Sequence, residues 1–264
     1  MLEIRDVSKT FFGGTVNERV ALDDVTLKLD SGDFVTVIGS NGAGKSTILN
    51  ITSGKLLPDT GTVTIGELDV TRLADHQRAK YIGRVFQDPM AGSSPNMTIE
   101  ENLSIAYERG NRRGFSIGVT NKKREKFREE LKSLELGLED RLKAKVGLLS
   151  GGQRQALSLL MATFSEPKVL MLDEHTAALD PQRAELVSRL TQEIVDRHKL
   201  TTLMVTHNME QALRLGNRLI MMHDGRILFD LNQERKSKMT VKGLLQEFEN
   251  IKGEKLTDDE TLLQ

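Results

Sequence analysis

No cysteine occurs anywhere in the 264 residues. Disulfides and thiolate chemistry are therefore excluded, and an intracellular setting is permitted without being required. An excess of either charge is also missing. The 37 Lys and Arg nearly cancel the 38 Asp and Glu, leaving a formal net charge of −1. This balance argues against a nucleic-acid binder driven by net charge, while leaving room for a local basic patch. Long apolar runs are absent. The most apolar window, Ala156–Phe164, falls far short of the roughly 20 residues that a membrane span needs. The N-terminal "MLEIRDVSKTFF" has neither a long apolar segment nor a small-residue cleavage site, so no signal peptide is expected. If the chain acts at a membrane, another subunit provides the passage. No internal repeat or low-complexity linker stands out.

What remains suits a soluble globular protein, with 38% apolar and 28% charged residues. Short β-like runs open the chain: "LEIRDV", "VALDDVTLKLD" and the continuous apolar run "FVTVIG", which reads as a buried strand. A glycine-rich loop and the helical "STILNITSG" follow, then a hairpin in "GTVTIGELDV" and a strand in "YIGRVF". After Pro89 the pattern turns helical and polar, which predicts an all-helical insertion over residues 89–165. Strands return as "KVLML", "TTLMVT", "NRLIMM" and "RILFD", with the helix "PQRAELVSRLTQEIVDRH" between the first two. Strands alternating with helices predict a mainly parallel α/β sheet. The expected division is residues 1–88 and 166–235 as the core with a β subdomain, 89–165 as the helical insertion, and 236–264 as a C-terminal helix and acidic tail.

"GSNGAGKST", Gly39–Thr47, fits G-x-x-x-x-G-K-[ST] between a strand and a helix. Gly39, Gly42 and Gly44 let the backbone turn tightly and aim its N–H groups at phosphate oxygens. Lys45 brings a point charge to the β- and γ-phosphates, the Ser46 hydroxyl is placed for Mg²⁺, and Thr47 for the α-phosphate. The helix N-terminus adds partial positive charge.

In "LMLDEHTAALD", Leu170–Asp180, a buried strand ends in two carboxylates. Ligands gather at that edge of open α/β sheets. Asp173 can hold the water shell of Mg²⁺, the usual carboxylate partner of a phosphate loop. Side chains alternate along a strand, which predicts that Glu174 points elsewhere and can act as general base toward an attacking water.

"LLSGGQRQ" narrows the field. Leu149–Gln153 matches the LSGGQ signature of ATP-binding cassette proteins, and the chain resembles that family along nearly its whole length. Gln87 in "VFQDP" resembles the Q-loop glutamine, "AALD" (Ala177–Asp180) the D-loop, and His207 in "VTHN" the switch histidine. Phe11 matches the aromatic that stacks on adenine, with Phe12 as its rival. The resemblance implies an α/β fold: a P-loop NTPase (RecA-like) core with an antiparallel β subdomain and an inserted α-helical subdomain. It implies ATP and Mg²⁺ as ligands. Gly39, Ser40, Asn41, Gly42, Ala43, Gly44, Lys45, Ser46 and Thr47 would form the nucleotide loop. Ser46, Gln87 and Asp173 would serve the metal, and Glu174, His207 and Lys45 would be catalytic. Ser150, Gly151, Gly152 and Gln153 sit at a predicted helix N-terminus with amides and a hydroxyl to offer, a ready anion site. In the family this signature meets the γ-phosphate held by the other cassette, and Asp180 links the two sites. A head-to-tail pair, with itself or a paralogous cassette, is therefore implied.

His175 stands where the commonest cassettes carry proline, and is expected to be a turn residue packed beneath the D-loop. "AALD" lacks the usual hydroxyl, and "QALSLLMA" lacks a basic residue many relatives have. His76, His198 and His223 show no metal-like spacing and are expected at the surface. Met221 and Met222 are expected to fill core. The basic runs "RGNRR" and "NKKREKFR" are read as solvated surface.

Two functions follow from the resemblance. One is the ATPase subunit of a membrane transporter, at the cytoplasmic face, working with integral membrane permease subunits and indirectly with a solute-binding protein, and with no nucleic acid. The other is a soluble ATPase of iron–sulfur cluster assembly. "VIGSNGAGKST", "GRVFQDPMAGSSPNMTIEENL" and "DEHTAALDP" resemble bacterial solute-uptake ATPases whose permeases look like those of branched-chain amino-acid importers. That group implies import of tryptophan or another amino acid.

Overall fold

The computed structural model describes residues 1–110 and 118–252. Part of "RGNRR" and the acidic tail lie outside the described residues. The chain divides into two compact units, Met1–Arg72 with Leu203–Gln264, and Leu73–Thr202.

The first unit begins with β1 (Leu2–Phe11) and β2 (Arg19–Leu29). Along β2, Val25, Leu27 and Leu29 are buried while Thr26 and Lys28 face solvent, the alternation of a half-covered sheet. In β1 that alternation breaks at Asp6, whose φ of 51° accompanies a register shift between Ile4 and Val7. β3 (Phe34–Gly39) is buried along nearly its whole length, as its continuous apolar run predicts. Its one polar side chain, Thr36, donates to Ala212 O at 2.9 Å. Then come α1 (Lys45–Ser53), β4 (Thr60–Ile65) and β5 (Leu68–Asp69). Strands β2-β1-β4-β5 form an antiparallel sheet.

The second unit contains α2 (Asp75–Arg78), β6 (Ile82–Val85), α3 (Ile99–Tyr107), α4 (Asn121–Lys132), α5 (Gly151–Thr163), β7 (Val169–Asp173) and α6 (Pro181–His198). β6 and β7 pair in parallel. Tyr107, Phe127 and Phe164 hold three helical segments together, with centroids 6.1, 6.2 and 5.7 Å apart. Helix α6 starts where the sequence says it should: Asp180 caps it, Pro181 follows, and Arg197 and His198 sit at its negative end.

β8 (Thr201–Val205) carries the chain back to the first unit, which finishes with α7 (Met209–Arg214), β9 (Arg218–His223), β10 (Arg226–Leu231), α8 (Gln233–Ser237) and α9 (Val241–Lys252). β9 runs parallel to β3, and β10 antiparallel to β9. The expectation of a mainly parallel sheet thus holds for the pairs β3/β9 and β6/β7. Their partners are separated by helices, whereas hairpin neighbours pair antiparallel. Met221 and Met222 are buried as expected. Helices α2, α7 and α8 went unread in the sequence because each is too short to show a helical period. Among the described residues no helix is long and apolar enough to cross a membrane.

Candidate functional site

The sequence-predicted residues fall into both units, and each group has its own local architecture. In the first unit, β3 ends at Gly39 and the chain turns through Gly42 (φ 84°) and Gly44 (φ 101°) into α1. A Cβ on Gly44 would lie 2.6 Å from Ala21 O, so β2 leaves no room for a side chain there. Lys45 is buried, and its Nζ donates to Gly39 O at 2.6 Å and Ser40 O at 3.0 Å. The ammonium is therefore tied to the loop's own carbonyls, and the amide of Ala43 donates to Ser40 O at 3.1 Å. Gly44 is the N-cap of α1 and offers no side chain to the helix amides. Those amides, with the ammonium beside them, suit a polyanion. The Ser46 hydroxyl is exposed and Thr47 is half-buried.

Sequence reasoning missed a second cation at this loop. Arg19 of β2 donates from Nη2 to Gly42 O at 3.1 Å. No motif could have flagged it, because it lies 23 residues upstream on another strand. His223, expected at the surface, is a correction. Its side chain is only 14% exposed, and Nδ1 lies 3.3 Å from Ser40 Oγ of the same loop. His207 is exposed, on a turn braced from both sides. Thr206 N donates to Val37 O at 3.1 Å, and Asn208 caps α7 by accepting from Gln211 N at 2.9 Å. Phe12 (φ 55°, 71% exposed) presents an open ring, whereas Phe11 ends β1 half-buried.

In the second unit, β7 buries Val169–Leu172 and delivers Asp173 at its C-terminal end, as expected. Arg84 of β6 donates from Nη2 to Asp173 Oδ2 at 2.8 Å, and its guanidinium stacks on Phe86, 4.9 Å from the ring centroid. This ion pair was not legible in the sequence. Glu174 departs from the alternation argument. It lies beyond the strand at φ 45°, so a left-handed backbone, rather than strand pleating, sets its direction. His175 is 1% exposed in the following turn, which fits the packed-turn expectation. Burial alone pulls its pKa down to about 4. Asp180 caps α6 by accepting from Arg183 N at 3.1 Å, and it pairs with the Arg183 guanidinium at 3.2 Å.

Ser150 is the N-cap of α5, at the expected helix start. Its hydroxyl oxygen also takes part in starting the helix, which leaves the O–H hydrogen to donate. Ser150 Oγ accepts from Gln153 N at 3.3 Å, while Gln153 Oε1 accepts from Ser150 N at 3.1 Å. This reciprocal box uses both side chains to start the helix. Gly151 and Gly152 follow as its first residues. Gln87 is exposed just after β6, where Gln155 Nε2 of α5 donates to the preceding carbonyl, Phe86 O, at 3.1 Å.

The donor set expected for Mg²⁺ is a hydroxyl (Ser46), an amide (Gln87) and one carboxylate (Asp173). Such a set suits an ion that brings water and phosphate oxygens as its other ligands. Among the described residues no group of three or more His, Cys, Asp or Glu could hold a metal ion.

Comparison with known proteins agrees with this chemistry. The family model described as ABC transporter matches residues 22–177. The "Tyrosine transport ATP-binding protein" of Clostridioides difficile (strain R20291) is 43% identical over 249 residues, covering 94% of this chain and 99% of that protein. Among solved structures, the dimeric post-hydrolysis state of the ATP-binding cassette MJ0796 bound to ADP and Pi is 30% identical. It superposes with a TM-score of 0.74 over 88% of this chain and 99% of that one. The ADP conformation of the cassette MJ1267 is 26% identical, with a TM-score of 0.77 over 94% and 98%.

Proposed function

Because this chain belongs to the ABC transporter family and is an ATP-hydrolysing transporter subunit, we propose that it powers the import of an amino acid, an aromatic one and tyrosine first among them. The observation that carries the substrate class is the 43% identity with a protein named for tyrosine transport, extending over 94% of one chain and 99% of the other. The relatives named here give the iron–sulfur assembly reading no support, and it is set aside.

The residue roles follow from the chemistry of each group. Lys45 and the α1 amides hold the β- and γ-phosphates. Ser46 and Gln87 would offer neutral oxygens to Mg²⁺, and Asp173 would offer its carboxylate. When bound, the metal neutralises developing charge on the phosphate oxygens. Glu174 takes a proton from the attacking water, and His207 holds the γ-phosphate. Positioning and charge stabilisation carry most of the rate.

Two copies, or this chain and a paralogue, pair head to tail, so that the Ser150–Gln153 segment of one serves the nucleotide of the other. A dimeric cassette is known in MJ0796. Membrane permease subunits form the passage, since no described helix of this chain could. Solute specificity then belongs to the permease and its binding protein, and the half-buried Phe86, Met90 and Met97 offer apolar contact to a permease helix.

The direct test is uptake of labelled tyrosine, tryptophan, phenylalanine and leucine by cells with and without this chain. Loss confined to the aromatic solutes supports the proposal. Unchanged aromatic uptake, with loss of another solute, removes it.

A further inference from the structure

We propose that His223 is a positioning residue for the phosphate loop and couples that loop to the docking of helix α9. The inference rests on Gly39–Thr47 being the nucleotide loop. Its basis is the two-residue turn joining β9 to β10. His223 faces Arg226 across the hairpin, and the residues between them, Asp224 and Gly225, have φ of 46° and 75°. Two successive left-handed residues make the tight turn that suits twisted strands, and Asp-Gly is a favoured sequence for it.

That turn touches the phosphate loop twice. Gly225 N donates to Ala43 O at 3.2 Å, and His223 Nδ1 lies 3.3 Å from Ser40 Oγ. The root of the loop is pressed against the same strand. Gly39 pairs with Met222, and a Cβ on Gly39 would lie 2.2 Å from Met222 O. Strand β9 therefore fixes the loop at its entrance, and the hairpin end holds it at Ser40 and at Ala43.

His223 Nε2 lies 3.0 Å from Asp224 Oδ2, and a carboxylate only accepts, so Nε2 carries hydrogen. In the neutral ring Nδ1 is then the acceptor and the Ser40 hydroxyl donates to it. The order Asp–His–Ser invites comparison with a nucleophile triad, but Asp224 is 85% exposed and shares its charge with water. Such a carboxylate does not lock an imidazole to activate a serine; the arrangement orients Ser40.

Helix α9 closes the chain of contacts. Phe248, 3% exposed, meets the His223 ring edge to face at 5.3 Å and 86°. Phe248 and Leu244 share a core cluster with Met221 and with Ile38, the residue just before Gly39. Undocking α9 would therefore free the imidazole, the route by which we take α9 to act on the loop.

The test is the affinity of full-length protein for fluorescent ADP with Mg²⁺, with melting recorded for every variant. Lys45→Ala must weaken binding; if it does not, the phosphate-loop reading itself fails. With that control satisfied, His223→Leu should weaken binding about fivefold, the size of one ordinary hydrogen bond. His223→Asn, whose amide can replace Nδ1, should stay within about twofold of the parent. Phe248→Leu should weaken binding in the parent and have no further effect in His223→Leu. Parental affinity in His223→Leu, an equal loss in His223→Asn, or additive effects of the His223 and Phe248 changes would overturn the proposal.

Discussion

His175 Nε2 lies 2.9 Å from the hydroxyl of Thr191, sixteen residues on, in the buried face of α6. The hydroxyl donates its own hydrogen to Val187 O at 2.8 Å. It can therefore only accept from His175, which puts hydrogen on Nε2, and burial keeps the ring neutral near pH 7. Nδ1 is buried without a partner. The residue that replaces a proline thus ties the turn after Glu174 to α6 as a fixed, uncharged ring.

This arrangement makes stability depend on pH. Burial depresses the folded-state pKa to about 4, below the roughly 6.5 of an unfolded histidine. Between these values the unfolded chain binds the extra proton, so stability is full above the upper one and is lost as pH falls. The expected slope is up to about 1.4 kcal/mol per pH unit over that window. Urea unfolding of nucleotide-free, metal-free protein at pH 7 and pH 5 measures it. His175→Pro should flatten the difference while retaining most ATPase activity. A loss of activity as deep as that of Lys45→Ala would assign His175 a chemical role.

Arg84 and Asp173 are both largely buried, their side chains 13% and 19% exposed. Removing the cation leaves a carboxylate with little water around it. Arg84→Met should therefore destabilise the nucleotide-free protein by about 2 kcal/mol, below the roughly 3–5 kcal/mol of a fully buried pair because both side chains keep some contact with water. Asp173→Asn in the same background should restore part of that loss, because it removes the stranded charge. Chemical denaturation of the two single variants and the double variant gives the coupling directly.

Glu174→Gln keeps the shape of the side chain and removes its basicity. We expect ATP binding to persist, hydrolysis to fall by at least about a hundredfold, and an ATP-bound dimer to accumulate. Phosphate release and size-exclusion chromatography with ATP read both effects. Unchanged turnover would take Glu174 out of the base role.

The glycines of the phosphate loop are not equivalent. A Cβ on Gly44 meets backbone and core, 2.6 Å from Ala21 O and 2.7 Å from Leu22 Cδ2. On Gly42 it meets only the end of the Arg19 side chain, at 2.3 Å, which can swing away. Both positions need positive φ, a strain of order 1–2 kcal/mol for alanine. Gly44→Ala should therefore lose nucleotide binding and stability well beyond Gly42→Ala. Paired ADP titrations and melting curves compare them, and equal losses would contradict this ranking.

The sequence alone determined those features whose causes are local. The apolar run of β3, the Pro181 start of α6, the helix start at Ser150 and the glycine-lysine loop lie within a few residues of chain, where backbone preference and capping are decided. Their motifs pointed to ATP chemistry before any fold was visible. Tertiary structure decided the partners. Arg19 reaches Gly42, Arg84 reaches Asp173 and His223 reaches Ser40 over separations of 23, 89 and 183 residues. Such contacts depend on which strands pair and in what register, and a register shift of one residue would send each side chain to the other face of its sheet.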